Sequence, residues 1–356
     1  MVQSMGKKYI YIGLVIIVAV GIFVAVNFRK DESVSAPQAE VSDSNQDIVK
    51  FDEPTLREGG EGSKDEGEIF PVSIQAMQRK DYDGRDLTLG KVLAENESYT
   101  RYYITYMSGQ FKVSGIMNVP KGKGPFPVLI LNHGYIDPAI YTNGRGLRRE
   151  QDYLARQGFV VIHIDYRNHA DSDKDPDNDI NIRIGYVEDA INAVYAVKES
   201  GLPYFAKDKI GMLGHSMGGG VSQAVMVVQP ELVDAFVLYA PVSMDVRDSF
   251  ERWTRTRPEV AQKIIELFGE PKDNPKFWDN ISPSTFIKEV KSPAMIFHGT
   301  ADADVPIEWS RRTRDSLVSV GKSVELVEYP GQPHEFTTTH TDFMRRSTEF
   351  FRTNLE

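Results

Sequence analysis

The pattern that most constrains the fold is a regular alternation of apolar strands and amphipathic helices, which begins near Arg101 and continues to the C-terminus. The strand segments at residues 126–134 and 159–167 are nearly continuous apolar runs, as expected where helices cover both faces of a sheet. Residues 182–199 follow the 3.6-residue period of an amphipathic helix. The sequence therefore predicts an α/β fold with a mainly parallel, doubly wound sheet and helices on both faces.

Composition excludes several classes of protein. The 356-residue chain has no cysteine, which rules out disulfides, thiolate metal sites and a cysteine nucleophile. Its formal net charge of -10 leaves no basic field, so we expect no nucleic-acid partner. Neither a metal site nor a cofactor motif is evident, and we expect no cofactor.

The N-terminus carries a candidate membrane anchor at residues 9–26. These residues include no charge, follow Lys7 and Lys8, and end shortly before Arg29 and Lys30. Such a run can just cross a bilayer as a helix, whereas the apolar part of a cleaved signal is usually about 7 to 15 residues long. We expect a single-pass anchor with a cytoplasmic N-terminus and an extracytoplasmic body. Secretion after signal cleavage is the alternative.

An acidic linker is predicted to follow the anchor. Residues 31–68 contain twelve acids, three bases and few large apolar side chains, so they cannot bury enough surface to offset the entropy cost of ordering. The predicted organisation is an anchor within residues 1–30, a disordered linker over 31–68, and a catalytic domain over 69–356. A cap insert is expected at about residues 243–292, between two strands of the sheet.

A short glycine-rich motif holds a candidate nucleophile. The sequence G-H-S-M-G at residues 214–218 stands between an apolar run at 210–213 and a helical pattern at 217–228. Small residues two before and two after the serine let strand and helix approach closely, and the strained turn raises the hydroxyl above the sheet edge. The helix N-terminus favours negative charge that develops there. Ser216 is therefore a candidate nucleophile, and a plain glycine-rich turn is the alternative.

Two later loops supply candidate partners for this serine. One loop contains Asp302 and Asp304, and the next contains His334; each follows an apolar strand. A serine hydroxyl needs a neutral imidazole to take its proton, and the imidazole needs a carboxylate to fix its tautomer. The chain order of serine, acid and histidine is that of an α/β hydrolase.

The reaction also needs an oxyanion hole with two N–H donors. The residue after the nucleophile, Met217, is expected to supply one of them from the start of its helix. Tyr135, in the loop after the strand at residues 126–134, is expected to supply the other.

Three segments resemble the catalytic domain of the prolyl oligopeptidase family of α/β hydrolases. They read GHSMGGG, HGTADADVP and YPGQPHEF, and the similarity covers about residues 99–356. The resemblance implies the α/β-hydrolase fold and a triad of Ser216, Asp302 and His334. It favours Asp302 over Asp304 as the acid, because the following Val-Pro pair fixes the register of the motif.

The chain departs from the family pattern in two places. The family's R-G-H-G-x-S motif reads RNHADS at residues 167–172, without either glycine. The β-propeller of the best-known members is not expected, since only the linker and residues 69–98 precede the hydrolase segment.

Three functional hypotheses follow. The resemblance implies a serine peptidase that cleaves short peptide or acylaminoacyl bonds through an acyl-enzyme on Ser216. A carboxylesterase that uses the same triad is the alternative. An inactive binding module that keeps the fold belongs to a different class, and the intact set of three side chains disfavours it.

Other motifs admit a plainer interpretation. The acidic run at residues 171–179 has aspartates at alternate positions, but no register supplies the glycine and glutamate of a calcium loop, so a solvated loop is expected. His163 is expected in the core, and His298 is expected to make a structural hydrogen bond. In the cap, the aromatic residues are expected to pack between helices or line a pocket. The cap arginines, which could instead hold a substrate carboxylate, are expected to face water: Arg252, Arg255 and Arg257.

Overall fold

The computed structural model of the protein describes residues 69–355. The predicted anchor at residues 9–26 and the predicted linker at 31–68 lie outside the described residues. Within residues 69–355, no helix is both long and apolar enough to cross a membrane.

One sheet of nine strands forms the centre of the described chain. In chain order, its strands are β1 (Arg85–Glu95), β2 (Tyr99–Ser108), β3 (Phe111–Pro120), β4 (Phe126–Asn132), β5 (Val160–Ile164), β6 (Phe205–His215), β7 (Ala235–Tyr239), β8 (Ala294–Gly299) and β9 (Val324–Tyr329). Their order across the sheet is β1-β2-β3-β5-β4-β6-β7-β8-β9. The pairs from β5 to β9 are parallel, and the three pairs on the β1 side are antiparallel. The predicted mainly parallel α/β fold is therefore confirmed.

Helices lie along the chain as the alternating pattern predicted. In chain order they are α1 (Ile74–Arg79), α2 (Arg148–Arg156), α3 (Ile184–Glu199), α4 (Met217–Val228), α5 (Val246–Arg252), α6 (Pro258–Phe268), α7 (Pro275–Asn280), α8 (Ile307–Ser319) and α9 (His340–Leu355). Short 3-10 turns occur at Thr254–Thr256 and Pro283–Glu289.

Two apolar cores sandwich the sheet. One face packs against α3 and α4, with Ile191 and Val225 fully buried there. The other face packs against α2 and α9, where Leu154 and Phe351 are fully buried. Because both faces are covered, the central strands are apolar on both sides, which explains the continuous apolar runs in the sequence.

The order of the strands places a crevice at β4. The chain passes from β4 to β5 on one side and then returns to β6 on the other side. In such doubly wound sheets, the loops at the carboxyl ends of the strands diverge at this switch point and leave room for a ligand. The loops after β4 and β6 are the ones predicted to carry Tyr135 and Ser216.

The predicted cap between β7 and β8 forms its own small core. Its buried side chains include Phe250, Phe277 and Trp278, and Phe70 from the start of the described chain packs against them. The Phe70 and Phe277 rings meet edge to face at 5.0 Å. Phe277 and Trp278 are therefore helix-packing residues, as the plainer interpretation held, whereas Phe250 packs there and also lines a cavity.

Residues 69–98, which precede the region similar to the prolyl oligopeptidase family, form two elements that the sequence pattern did not predict. Helix α1 begins with Ser73 as its N-cap, whose hydroxyl accepts from the Ala76 N–H at 3.2 Å. Among the strands of residues 69–355, β1 pairs with β2 alone and is exposed along most of its length, as is typical of an edge strand. Its interior is too polar to stand out as a strand from hydrophobicity alone.

The acidic run at residues 171–179 is less solvated than expected. Arg167 is buried against Asp189 at 2.8 Å, and the same guanidinium reaches Asp175 of the loop at 3.0 Å. Asp179 forms ion pairs with two further arginines. Arginine side chains thus fasten the loop to the rest of the described chain.

A buried histidine at the centre of the sheet is a source of acid sensitivity. His163 on β5 is fully buried, and neither ring nitrogen has a hydrogen-bond partner within residues 69–355. Burial, with a contribution from the neighbouring His133, holds the pKa of His163 well below its usual value, so the ring is neutral in the folded chain. This confirms the expectation that His163 is a core residue.

We predict that His163→Leu makes the protein less sensitive to acid. In the unfolded chain the imidazole titrates near pH 6.5, so below that pH the unfolded state binds a proton that the folded state does not. Stability is fully present above pH ~6.5 and falls with acid, by about 1.4 kcal/mol per pH unit for this group. Urea unfolding between pH 4.5 and 8 measures the slope.

The leucine variant should lose that part of the slope. Data at pH 8, where the ring is neutral in both states, give the packing effect of the substitution separately. Equal slopes for the two proteins below pH 6.5 would contradict a neutral His163 in the folded state.

Candidate active site

The turn between β6 and α4 holds Ser216 in a strained backbone conformation. Its φ of 55° and ψ of -119° lie where residues with a Cβ atom are seldom found. Such a conformation persists only where the surroundings impose it, and it is common at functional sites. The Ser216 N–H donates to the Tyr239 carbonyl on β7 at 3.0 Å, which ties the turn to the sheet.

Two glycines allow this turn by permitting close packing. A Cβ on Gly214 would lie 2.2 Å from the Gly218 carbonyl oxygen, and one on Gly218 would lie 2.0 Å from the Asn132 oxygen at the end of β4. Atoms in folded proteins do not approach so closely, so any larger residue would move the helix away from the sheet. The strand, turn and helix predicted from the G-x-S-x-G motif are therefore present in the structure.

The loops after β8 and β9 bring Asp302 and His334 together. His334 Nδ1 lies 2.7 Å from Asp302 Oδ2, a hydrogen bond between a buried carboxylate and an imidazole that is 15% exposed. His298 Nε2 lies 3.1 Å from the same oxygen. The backbone N–H groups of Asp304 and Val305 donate to Asp302 Oδ1 at 2.9 and 2.8 Å. Four nitrogen atoms thus surround this carboxylate.

These contacts keep Asp302 ionised despite its burial. Burial by itself raises the pKa of a carboxyl group, but the hydrogen bonds from His298, His334 and the Val305 N–H outweigh it and hold the pKa of Asp302 well below its usual value. A carboxylate fixed in this way orients the His334 ring, and it favours the tautomer with the proton on Nδ1. The other ring nitrogen, Nε2, is then free to accept a proton.

The alternative acid, Asp304, is placed differently. Its side chain is exposed, and no hydrogen bond joins its carboxylate to His334 within the described residues. Its backbone N–H instead supports Asp302. The geometry places Asp302 as the partner of His334, while the catalytic role itself stays a prediction.

Ser216 and His334 lie on the wall of one cavity. No direct hydrogen bond between the Ser216 hydroxyl and the imidazole occurs in residues 69–355, although the His334 ring stands 4.6 Å from the ring of His215, the residue before the serine. The hydrogen bond between a catalytic group and its partner often tightens only when substrate is bound, so its absence here does not exclude the pair.

The two expected oxyanion donors flank the serine. Met217 is the first residue of α4, and its N–H has no acceptor in the described chain; the same holds for the Tyr135 N–H. A Cβ on Gly134, the residue before Tyr135, would lie 3.1 Å from Ser216 Cβ, so the loop after β4 passes directly beside the candidate nucleophile. Two unengaged N–H groups next to the serine suit a developing oxyanion.

Asp165, which the sequence analysis did not single out, organises the loop that carries Tyr135. This buried carboxylate accepts hydrogen bonds from Tyr141 Oη at 2.8 Å, Asn143 Nδ2 at 2.7 Å and the Gly144 N–H at 2.8 Å. It also accepts from the Ser114 hydroxyl at 2.6 Å on β3. Its position directly after β5, at the active edge of the sheet, was the signal available in the sequence.

The remaining histidines have structural partners or are buried. His298 contacts the Ser310 hydroxyl through Nδ1 at 2.7 Å, as its expected structural role requires. His340 starts α9, and its Nε2 lies 2.9 Å from a Glu150 carboxylate oxygen. Burial lowers the pKa of both His133 and His215 to about 3, so these rings are neutral.

Asp302, Asp304 and His334 form the one group of three potential metal ligands among residues 69–355, with one atom of each within 4.8 Å of the others. The imidazole and the Asp302 carboxylate are already bonded to each other, and further donors occupy the carboxylate. A metal ion would have to displace these bonds. The donor set therefore fits an acid–base pair better than a metal site.

The cavity in front of Ser216 has a volume of about 620 Å³ and lies between the sheet edge and the cap. Its wall is formed largely by apolar residues of α4 and the cap, among them Val221, Phe250 and Trp253. The charged side chains on it are few: Asp179, Arg183, Arg257 and Asp304, with His334 beside the serine. A cavity of this size accepts a small molecule or a short peptide segment.

We predict that Asp302→Asn lowers kcat for 4-nitrophenyl acetate by about 10,000-fold, because an amide favours the wrong tautomer of the histidine. Asp304→Asn, its neighbour of the same chemistry, should lower kcat by less than about tenfold, since its carboxylate does not contact the ring. Circular dichroism of both variants controls for folding. A larger loss of kcat in the Asp304 variant than in the Asp302 variant would indicate that Asp304 is the acid.

Comparison with known proteins gives the chain its family. The model of the prolyl oligopeptidase family matches residues 145–356. The uncharacterized peptidase YtmA of Bacillus subtilis is 26% identical over 236 residues, which cover 66% of this chain and 86% of YtmA.

Two solved structures share the fold. The acylaminoacyl peptidase of Pyrococcus horikoshii superposes with a TM-score of 0.60 at 18% identity, over 73% of this chain and 42% of that one, so this chain spans less than half of it. Acetyl xylan esterase 1 of Thermoanaerobacterium superposes with a TM-score of 0.57 at 18% identity, over 80% of this chain and 91% of the esterase. With the serine elbow, the bonded acid and histidine and the match over residues 145–356, the chain belongs to the prolyl oligopeptidase family and is a serine hydrolase of the α/β-hydrolase fold.

Proposed function

We propose that this serine hydrolase is a peptidase that cleaves short peptide or acylaminoacyl bonds through an acyl-enzyme on Ser216. The observation that carries the proposal is the hydrogen bond of 2.7 Å between Asp302 and His334, at the wall of the cavity that also holds the strained serine. Two similar proteins support amide bonds as the substrate. One is the acylaminoacyl peptidase that shares the fold, and the other is YtmA, which is described as a peptidase.

The mechanism follows from the groups at the cavity. His334 Nε2 takes the proton from the Ser216 hydroxyl as its oxygen attacks the carbonyl carbon of the substrate. The N–H groups of Met217 and Tyr135 stabilise the resulting oxyanion. The imidazolium, stabilised by Asp302, then gives its proton to the leaving amine, and the C–N bond breaks. Water, deprotonated by the same histidine, cleaves the acyl-enzyme and restores the serine.

Carboxylester hydrolysis is the second candidate. The match to acetyl xylan esterase 1 covers nearly all of that enzyme, and residues 69–355 contain no β-propeller that would restrict access. An alcohol leaves more readily than an amine, so an esterase places a smaller demand on proton donation by the histidine.

Ser216→Ala should remove activity by several orders of magnitude and leave the fold intact, because triad members act as a unit. We expect a fluorophosphonate probe to label the native protein at Ser216 and to fail on the variant. Intact-mass and peptide-mass analysis locate the label. Absence of labelling on the folded native protein would indicate an inactive binding module instead.

Turnover on matched substrates separates peptidase from esterase. We compare aminoacyl 4-nitroanilides and N-acetylaminoacyl 4-nitroanilides with the corresponding 4-nitrophenyl esters. The peptidase proposal requires measurable cleavage of an anilide that Ser216→Ala abolishes. Ester cleavage alone would leave the carboxylesterase as the function.

We further propose that residues 9–26 anchor the enzyme in a membrane, with the catalytic domain outside the cytoplasm. The uncharged run and its lysine flank in the sequence support this location. The full chain should stay in the membrane fraction after a carbonate wash, and a chain that begins at residue 31 should be released. Added protease should remove the catalytic domain from intact spheroplasts. Recovery of the full chain in the wash would contradict anchoring.

A further inference from the structure

Two arginines share one carboxylate on the wall of the active-site cavity. Arg183 Nε lies 2.7 Å from Asp179 Oδ1, and Arg257 Nη1 lies 2.7 Å from Asp179 Oδ2. Arg183 precedes α3 in the body of the fold, whereas Arg257 precedes α6 in the cap. Two positive charges against one negative charge leave this part of the wall with a net charge of about +1.

Both guanidiniums keep donors that no group within residues 69–355 occupies. Arg183 Nη2, Arg257 Nε and Arg257 Nη2 have no acceptor there. The side chains of Arg183 and Arg257 are 24% and 33% exposed, and both line the cavity. Planar guanidiniums with free donors are suited to a carboxylate, which they bind through two parallel hydrogen bonds.

The backbone that places Arg183 in this position is conformationally strained. Ile182 and Arg183 have φ values of 55° and 59°, two successive residues in the left-handed region without a glycine. Each such residue is strained, and strain of this kind is typical of functional sites. The strained pair therefore points independently to a role for the arginine.

The arginine pair lies on the oxyanion side of the nucleophile. The Arg183 guanidinium stands 4.9 Å from the centre of the Tyr135 ring, and its Nη1 is 3.5 Å from Met217 Sδ. Tyr135 and Met217 are the two residues assigned to the oxyanion hole. The leaving group must lie beside His334, because that ring protonates it. A group that reaches the arginines therefore belongs to the acyl part of the substrate.

The other charged groups of the cavity also favour a substrate anion near the two arginines and not near His334. Asp304 is exposed near His334, so an anion is disfavoured at that end. The three other cap arginines are used elsewhere, and the first of them, Arg247, pairs with Asp245 and Asp279. Arg252 donates to the backbone carbonyls of Ala303 and Asp304, and Arg255 pairs with Glu251 and Glu270. Arg257 is the cap arginine that lines the cavity.

We propose that Arg183 and Arg257 bind a carboxylate on the acyl part of the substrate, so that the enzyme prefers acidic acyl groups with an apolar stem. This inference rests on the proposed acyl-enzyme on Ser216. It assigns a substrate class to the cavity: N-acylated acidic amino acids, acidic peptides or dicarboxylic half-esters.

Matched substrates that differ only in charge test the proposal. The amide pair is N-acetylglutamyl and N-acetylglutaminyl 4-nitroanilide, and the ester pair is mono-4-nitrophenyl adipate and 4-nitrophenyl hexanoate. We expect kcat/KM for the charged member to exceed that for the neutral one by about tenfold or more, as for hydrogen bonds to charged groups. The preference should appear mainly in KM and should shrink with added salt.

Variants of the wall decide between recognition and a structural role. Arg183→Gln and Arg257→Gln should each reduce the preference for the charged member by about tenfold. Arg255→Gln, which removes a cap charge away from the cavity, should keep the preference. Asp179→Asn frees both guanidiniums and should lower KM for the charged member. Equal losses on both substrates in all three cavity variants would show that Asp179 merely fastens the cap to the body, and would overturn the proposal.

A binding measurement keeps this test separate from the test of catalysis. Calorimetry on the Ser216→Ala protein compares N-acetylglutamic acid α-methylamide with its glutamine counterpart. Tighter binding of the acid, lost in Arg257→Gln, supports the carboxylate site even if no probe is turned over. Equal binding of the two overturns it, whether or not fluorophosphonate labels Ser216 in the native enzyme.

Discussion

The parallel pairing of β4 with β6 is the constraint on which the active site depends. Its register places Asn132 beside Gly214, so the two strands end together and their loops leave the sheet side by side. The close approach of Gly134 to Ser216 follows from this pairing. Strands β5 and β6 lie on opposite sides of β4, so the loops that leave the carboxyl ends of β4 and β5 diverge from each other. This divergence leaves a crevice at the carboxyl end of β4. The acid and the histidine reach the same edge because β8 and β9 continue the parallel order.

Features that depend on local chain chemistry could be predicted from the sequence. The buried parallel strands appeared as apolar runs because both of their faces are covered. The elbow at Ser216 was evident because a strand-to-helix turn that approaches β4 so closely admits only glycine at its two packing positions. The choice between Asp302 and Asp304 came from the family motif rather than from physical reasoning. The structure supplies the physical difference, since one carboxylate is buried among donors and the other is exposed.

Features that depend on contacts between distant segments could not be predicted. Asp165 is one acid among many in the sequence, and only the fold brings three donors from the earlier loop after β4 to its carboxylate. The missing glycines of the RNHADS motif illustrate the same limit. Asn168 and Ala170 have φ values of 71° and 44°, so the loop keeps the left-handed backbone that glycine would adopt most easily. The Asn168 side chain donates to the Asp175 carbonyl oxygen and accepts from the Asp175 N–H, and these two hydrogen bonds help to hold this conformation.

Two carboxylates with several partners, Asp179 on the cavity wall and Asp302 bonded to His334 of that wall, differ in burial and therefore in whether they can take part in ligand binding. Asp302 is fully buried and faces four nitrogen atoms, so it has no remaining capacity and can only orient the histidine. Asp179 is 39% exposed, and the two arginines that bind it line the cavity and keep donors without an acceptor among residues 69–355. A catalytic group must keep its position in every cycle, which full hydrogen bonding in a buried site achieves. A recognition group must exchange water for ligand, which requires access and spare donors. The proposed chemistry at Ser216 thus depends on a buried carboxylate that fixes His334, whereas the proposed selection of the acyl group depends on arginines that stay accessible on the cavity wall.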